Sequence, residues 1–86
     1  MSVHGEYSRA LETLIVAVRA LEAADREPWL QRFTEARVDR QPDLSAAARQ
    51  SVEVIRDLET TQPAPRIVDL CANLLAHCQM ILGSLD

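Results

Sequence analysis

Two cysteines and a histidine, Cys71, His77 and Cys78, lie in the almost uncharged run Ile67 to Gly83 and are the residues with the most obvious soft-ligand chemistry in the chain. Metal binding, thiol redox chemistry and simple packing are the three roles open to them. A structural zinc site uses ligands paired at short spacings such as C-x2-C, normally four in all. Here the spacing is C-x6-C, and on a helix seven residues span roughly 10.5 Å, too far for the thiols to share one ion or to form an internal disulfide. His77 and Cys78 point about 100° apart around a helix axis. The other histidine, His4, is expected in a frayed N-terminal stretch. The reading is therefore two small hydrophobes in a core, reduced rather than disulfide-bonded, with no metal and no cofactor.

His77 as a catalytic base would need a carboxylate or a nucleophile beside it. Its neighbours at helical spacing are Asn73, Leu74, Met80 and Ile81, of which Asn73 alone can hydrogen-bond. His77, Asn73 and the arginines Arg37 and Arg40 are the candidates for contacting a small ligand. Carboxylate pairs at helical spacing, Glu35 with Asp39 and Glu53 with Asp57, read as solvated faces. Two glycines provide no phosphate-cradling loop, and neither G-x-S-x-G nor H-E-x-x-H occurs. No enzyme is expected.

The elements that hold these residues follow from periodicity. Apolar residues recur at alternating steps of four and three, the pattern of helices, and no strand pattern competes. A first helix is expected over about 6–24, its stripe formed by Tyr7, Leu11, Leu14, Val18 and Leu21 and widened by Ile15, Val16 and Ala17. Pro28 opens a short second helix, about 28–39, which puts Trp29, Leu30, Phe33 and Ala36 on one side. After Pro42, Asp43 or Ser45 caps a third helix over about 44–59 with the stripe Leu44, Ala48, Ser51, Ile55 and Leu58. TTQPAPR forms a stiff connection. The fourth helix, about 65–82, carries the stripe Ile67, Cys71, Leu74, Cys78, Ile81 and Leu85, with Gly83 as a left-handed terminator.

Length and composition bound the fold. Eighty-six residues make one domain, 48% hydrophobic, with Tyr7, Trp29 and Phe33 as its aromatic residues, so the core is aliphatic. The expected fold class is all-α, a small compact bundle of four helices with a short second one. Net charge is −4, and no basic stripe for nucleic acid exists: residues 26–56 hold six arginines against five acids, the flanking segments being acidic. Every basic residue is Arg, a bias that points to a GC-rich, bacterial source. The N-terminal segment lacks the plan of a signal peptide and no run reaches the roughly 20 apolar residues of a membrane span, so the expected location is the cytoplasm.

The size, acidity and helix count resemble those of acyl carrier proteins, around the stretch PDLSAAARQSVEVIRDLE. That family attaches its prosthetic arm at the serine of an Asp-Ser-Leu motif, whereas this chain runs Asp43, Leu44, Ser45. Ser45 reads as a helix cap and no family is assigned.

Function is read from apolar surplus. Between Gln62 and the C-terminus Arg66, Asp69 and Asp86 are the charged residues, against 19 in the preceding 61. Val68, Leu75 and Leu82 recur at sevens beside the fourth helix's core stripe, and Ile15 and Val16 add an edge to the first. These five residues are the expected interaction surface. They fit a non-enzymatic protein-interaction or regulatory module with a protein partner, a homodimer in the first place, and neither nucleic acid nor membrane. The alternative is a small-molecule-binding or small enzymatic helical bundle, with a nucleic-acid-binding regulator behind it.

Overall fold

A computed structural model describes residues 3–83 of the chain. It is an all-α globule of four helices, with no strand among the described residues. They are α1 (Val3–Arg19), α3 (Trp29–Glu35), α4 (Leu44–Glu59) and α5 (Pro65–Gly83), with a single helical turn, α2 (Ala23–Arg26), between the first two. A 3-10 turn at Val38–Arg40 leads into α4. The long helices α1, α4 and α5 pack side by side, and α3 lies across α1 and α4. Val18 and Ile67 meet at one end and Glu6 and His77 near the other, so α1 and α5 are antiparallel.

The expected stripes form the core. Tyr7, Leu11, Leu14 and Val18 of α1, Phe33 of α3, Ala48, Ser51, Ile55 and Leu58 of α4, and Ile67, Cys71, Leu74, Cys78 and Ile81 of α5 are all buried. Leu85 lies outside the described residues. Trp29, Leu30 and Leu44 are half-buried against this cluster. Asp43 rather than Ser45 caps α4, its carboxylate accepting from the Ala46 N–H at 2.8 Å. Pro65 occupies the first helical position of α5, where a missing N–H costs nothing.

One buried hydroxyl ties three elements together. The Tyr7 hydroxyl, on α1, lies 2.8 Å from the Ala36 carbonyl oxygen, 2.9 Å from that of Ala47 and 2.7 Å from Ser51 Oγ. A phenol has one proton and two lone pairs. Both hydroxyls are satisfied when the phenol shares its proton between the two carbonyls and Ser51 donates to the phenol oxygen. Ser51 and Tyr7 are each wholly buried, so these bonds stand where an unpaired polar group would be costly.

Several boundaries depart from the sequence expectation, α1 beginning at Val3 rather than about Glu6. The first helix stops at Arg19 rather than about Ala24. Beyond Val18 the chain turns: the Leu21 N–H bonds to the Val18 carbonyl at 3.0 Å and Glu22 is extended. Leu21 is thereby folded back against the core. The second helix ends at Glu35 rather than about Asp39. Its last carbonyls are taken from elsewhere, that of Ala36 by Tyr7 and that of Glu35 by Gln41 Nε2 at 2.8 Å, while Phe33 and Thr34 accept the tightened bonds of Ala36 and Arg37. Gly83 is the last residue of α5 and its φ is not positive, so it terminates nothing by a left-handed turn. The left-handed residue is Gln62, φ 55°, just after α4, where the hydroxyls of Thr60 and Thr61 also donate at 2.7 Å to the Asp57 and Leu58 carbonyls.

Replacing Tyr7 by Phe keeps the ring and leaves Ser51 and the Ala36 carbonyl without their partner. The expected cost is about 1–3 kcal/mol, read as a lower urea midpoint at unchanged slope. Phe33, wholly buried, is expected to cost about 3–5 kcal/mol when replaced by Ala. Equilibrium unfolding followed by far-UV circular dichroism measures both.

Candidate functional site

Cys71 and Cys78 are free and buried on the inner face of α5. Burial, with the Glu59 charge as a smaller contribution, pushes the Cys71 thiol up to about 11, and burial alone pushes Cys78 up to about 12. Nucleophilic and ligating sulfur is thiolate, so both sites favour the inert form. Burial likewise raises the Tyr7 phenol, with a lesser push from Cys78 and a partial offset from its Ser51 hydrogen bond. Among the described residues no group of three or more His, Cys, Asp or Glu side chains is arranged to hold a metal ion. No described helix is long and apolar enough to cross a membrane.

The four ligand-contacting candidates are not brought together. His77 and Asn73 line an open groove of about 470 Å³ between α5 and α1, faced by Glu6, Arg9 and Thr13 with Ala10 at its floor. Arg37 lines a different groove with His4, Glu12 and Asp39, and its guanidinium is spent there, at 2.9 Å from Glu12 and 3.9 Å from Asp39. His4 itself is helical, in the first turn of α1, rather than frayed. Arg40 is exposed in the 3-10 turn. Arg32, the remaining arginine of the short helix, is held by Asp57 at 2.8 Å and stacks over the Trp29 ring at 5.5 Å. An arginine anion site is therefore not assembled. In the His77 groove the lining residues include both Arg9 and Glu6, so neither sign of ligand charge is selected.

The five expected interface residues separate as well. Ile15 is 2% exposed and belongs to the chain's own core, which removes it from any outer surface. Val16, its neighbour, is 59% exposed. On α5, Leu75 and Leu82 are half-buried against the core, and Val68 is 41% exposed. The outward apolar row lies one step further round: Val68, Ala72, Ala76 and Met80, each four residues from the last and all exposed, Met80 at 60%. Such an i, i+4 row is one of the ridges by which helices interlock. Periodicity of large residues missed it because its two middle members are alanines. Their signal was the absence of charge on that arc, interrupted by Asp69 alone among the described residues.

No protein-family model, curated protein or solved structure matches this chain, which leaves the chemistry of its own surfaces as the guide to function.

The raised thiols set a pH dependence. An unfolded chain ionises its thiols as pH passes their ordinary 9.0, while the folded chain holds them neutral to about 11 and 12. Their contribution to stability is thus fully present below about pH 9 and is lost as pH rises through that window. Changing both cysteines to Ala is expected to flatten this part of the alkaline decline. In the native wild type at pH 8, a thiol-disulfide reagent is expected to label neither cysteine on the timescale of minutes, and both within seconds in denaturant. Prompt native labelling would show an accessible thiol.

Proposed function

We propose that this chain is a non-enzymatic protein-interaction module and that its binding surface is the outward face of α5, occupied by the same face of a second copy. The observation that carries this reading is the row Val68, Ala72, Ala76, Met80, with Asp69 as the one charge beside it among the described residues. Two small residues at the centre let another helix backbone approach closely, and the larger ends, Val68 and Met80, fit beside the partner's ridge. Interlocking rows of this kind favour a crossing near −50°. The row reads large, small, small, large from either end, so a twofold axis passing between Ala72 and Ala76 would match each residue with its counterpart, as an isologous interface requires. Val68 and Met80, together with Ala72 and Ala76, are then the contact residues, and Leu75 and Leu82 support them from beneath.

This assignment changes which substitution is informative. Glutamate at Leu75 or Leu82 would intrude on the monomer's own packing, since both are half-buried against the core. Ala76 is exposed, so Ala76→Glu leaves the monomer intact and places a charge where it can lose solvation only in the dimer. Sedimentation velocity on the wild type is expected to give twice the chain mass. Ala76→Glu is expected to weaken association at least about 30-fold, or about 2 kcal/mol, with the helical spectrum unchanged. Arg49→Glu, on the wet face of α4, should leave the dimer in place. A wild type that stays monomeric at millimolar concentration would overturn the proposal.

A further inference from the structure

At the end of the bundle where α1 finishes and α5 begins, a hollow of about 410 Å³ opens between Val18, Leu21, Trp29, Leu58 and Ile67. Its size falls within the range of small-molecule sites, about 300–1,000 Å³, and its walls are apolar with a few polar groups at the mouth, as such sites are built. We propose that this pocket binds a small apolar molecule carrying one ammonium group.

The apolar part of the ligand is set by the walls: aliphatic side chains from three helices and the Trp29 indole. The charge is set by Asp25, the one ionisable side chain lining the pocket. Its carboxylate has no hydrogen bond or ion pair within the described residues, whose ion pairs join Arg32 to Asp57 and Arg37 to Glu12 and Asp39. An anionic ligand would meet that carboxylate with no compensating cation on the wall. Arg26, next in sequence, does not line the pocket and directs Nη1 to the Arg19 carbonyl at 3.5 Å. Trp29 adds a second preference for a cation wherever the ligand meets the face of its ring, which attracts positive charge by its quadrupole. The ring already takes the Arg32 guanidinium at 5.5 Å, and Asp57 neutralises that arginine at 2.8 Å, so it does not oppose a second cation. Gln62, held at φ 55°, completes the mouth with a neutral amide that can accept a hydrogen bond from an ammonium. The chain's net charge of −4 favours the approach of a cation as well.

Trp29 is the chain's single tryptophan and reports on the pocket directly. The test titrates the intact chain with three probes of one shape and different heads, 2-phenylethylamine, 2-phenylethanol and phenylacetate, reading Trp29 emission on excitation at a wavelength the probes do not absorb. The amine is expected to saturate the signal with a Kd about three- to tenfold below that of the alcohol, the range of one partly exposed ion pair with a cation–aromatic contact. Phenylacetate is expected to bind weakest. Asp25→Asn, at an exposed position, should keep the fold and bring the amine to the affinity of the alcohol. Amide chemical shifts are expected to move at Leu21, Leu58 and Ile67 and not on the outer row of α5. Absence of saturation by about 10 mM, equal affinity for the three heads, or an amine preference that survives Asp25→Asn would overturn the proposal. The test does not depend on self-association, because Ala72, Ala76 and Met80 are not part of this pocket.

Discussion

The bundle depends on the Tyr7 hydroxyl. Its core is otherwise built from Phe33 and from Leu, Ile, Val, Ala and Cys side chains, whose attraction is non-directional and would be nearly as well satisfied with one helix slid past another by a turn. A buried phenol bonded to Ala36, Ala47 and Ser51 removes that freedom. Sliding α4 by one turn would leave the Tyr7 oxygen facing aliphatic carbon and Ser51 without a partner. Both would be unpaired in an apolar surround, where the loss is large. The same hydroxyl settles where α3 ends, because a carbonyl held by Tyr7 marks the point at which the helix stops. Phe33 and Ala36 are then fixed above the α1–α4 groove, and the chain leaves through the 3-10 turn toward the Asp43 cap.

That dependence also explains what could be read in the sequence. The four helices, their stripes and the Asp43 and Pro65 starts were legible, because each is a local pattern of a period or a cap. Tyr7 and Ser51 were both placed on their core stripes, yet nothing in a one-dimensional pattern states that residues 44 apart are bonded. The early end of α3 follows from that bond and was hidden with it. The end of α1 was hidden as well: RALEAAD is good helix sequence, with no local signal for the turn at Val18–Leu21. Gly83 misled in the opposite sense. Glycine at a helix end is a sound local signal, but the left-handed role fell to Gln62 at the end of α4.

The surface is less legible in the sequence than the core. Sequence hydrophobicity weights Leu75 and Leu82 above Ala72 and Ala76, although exposure depends on angle and not on side-chain size. Twenty degrees of drift per heptad carries Val68, Leu75 and Leu82 progressively from the rim of α5 toward its α4 side. Leu82 accordingly lines a shallow groove with Val52, Arg49 and Arg56 of α4. The outward arc keeps small residues, so its apolar character is modest in area and visible chiefly as missing charge. Ile15 shows the converse: placed at the edge of its stripe, it is drawn inside because α1 is flanked by both α3 and α5.

The same burial that builds the core decides what chemistry is left over. The groups whose proton affinities are clearly displaced, Tyr7, Cys71 and Cys78, are all displaced by desolvation toward the neutral form. A nucleophile is activated by the opposite arrangement, a neighbouring positive charge or base that stabilises the anion. Here the nearest charge to bear on Cys71 is Glu59, of the wrong sign, and Tyr7 is surrounded by acceptors that hold its proton in place. The potential nucleophiles of the core are thereby committed to packing, and the surfaces proposed for recognition are ones they do not reach. Those are the alanine-centred ridge of α5, where close approach of a backbone is possible, and the Trp29 hollow, where an aromatic wall and one unpaired carboxylate meet. The two surfaces differ in kind, one shaped by small residues and the other by a single charge, and so would suit different classes of partner.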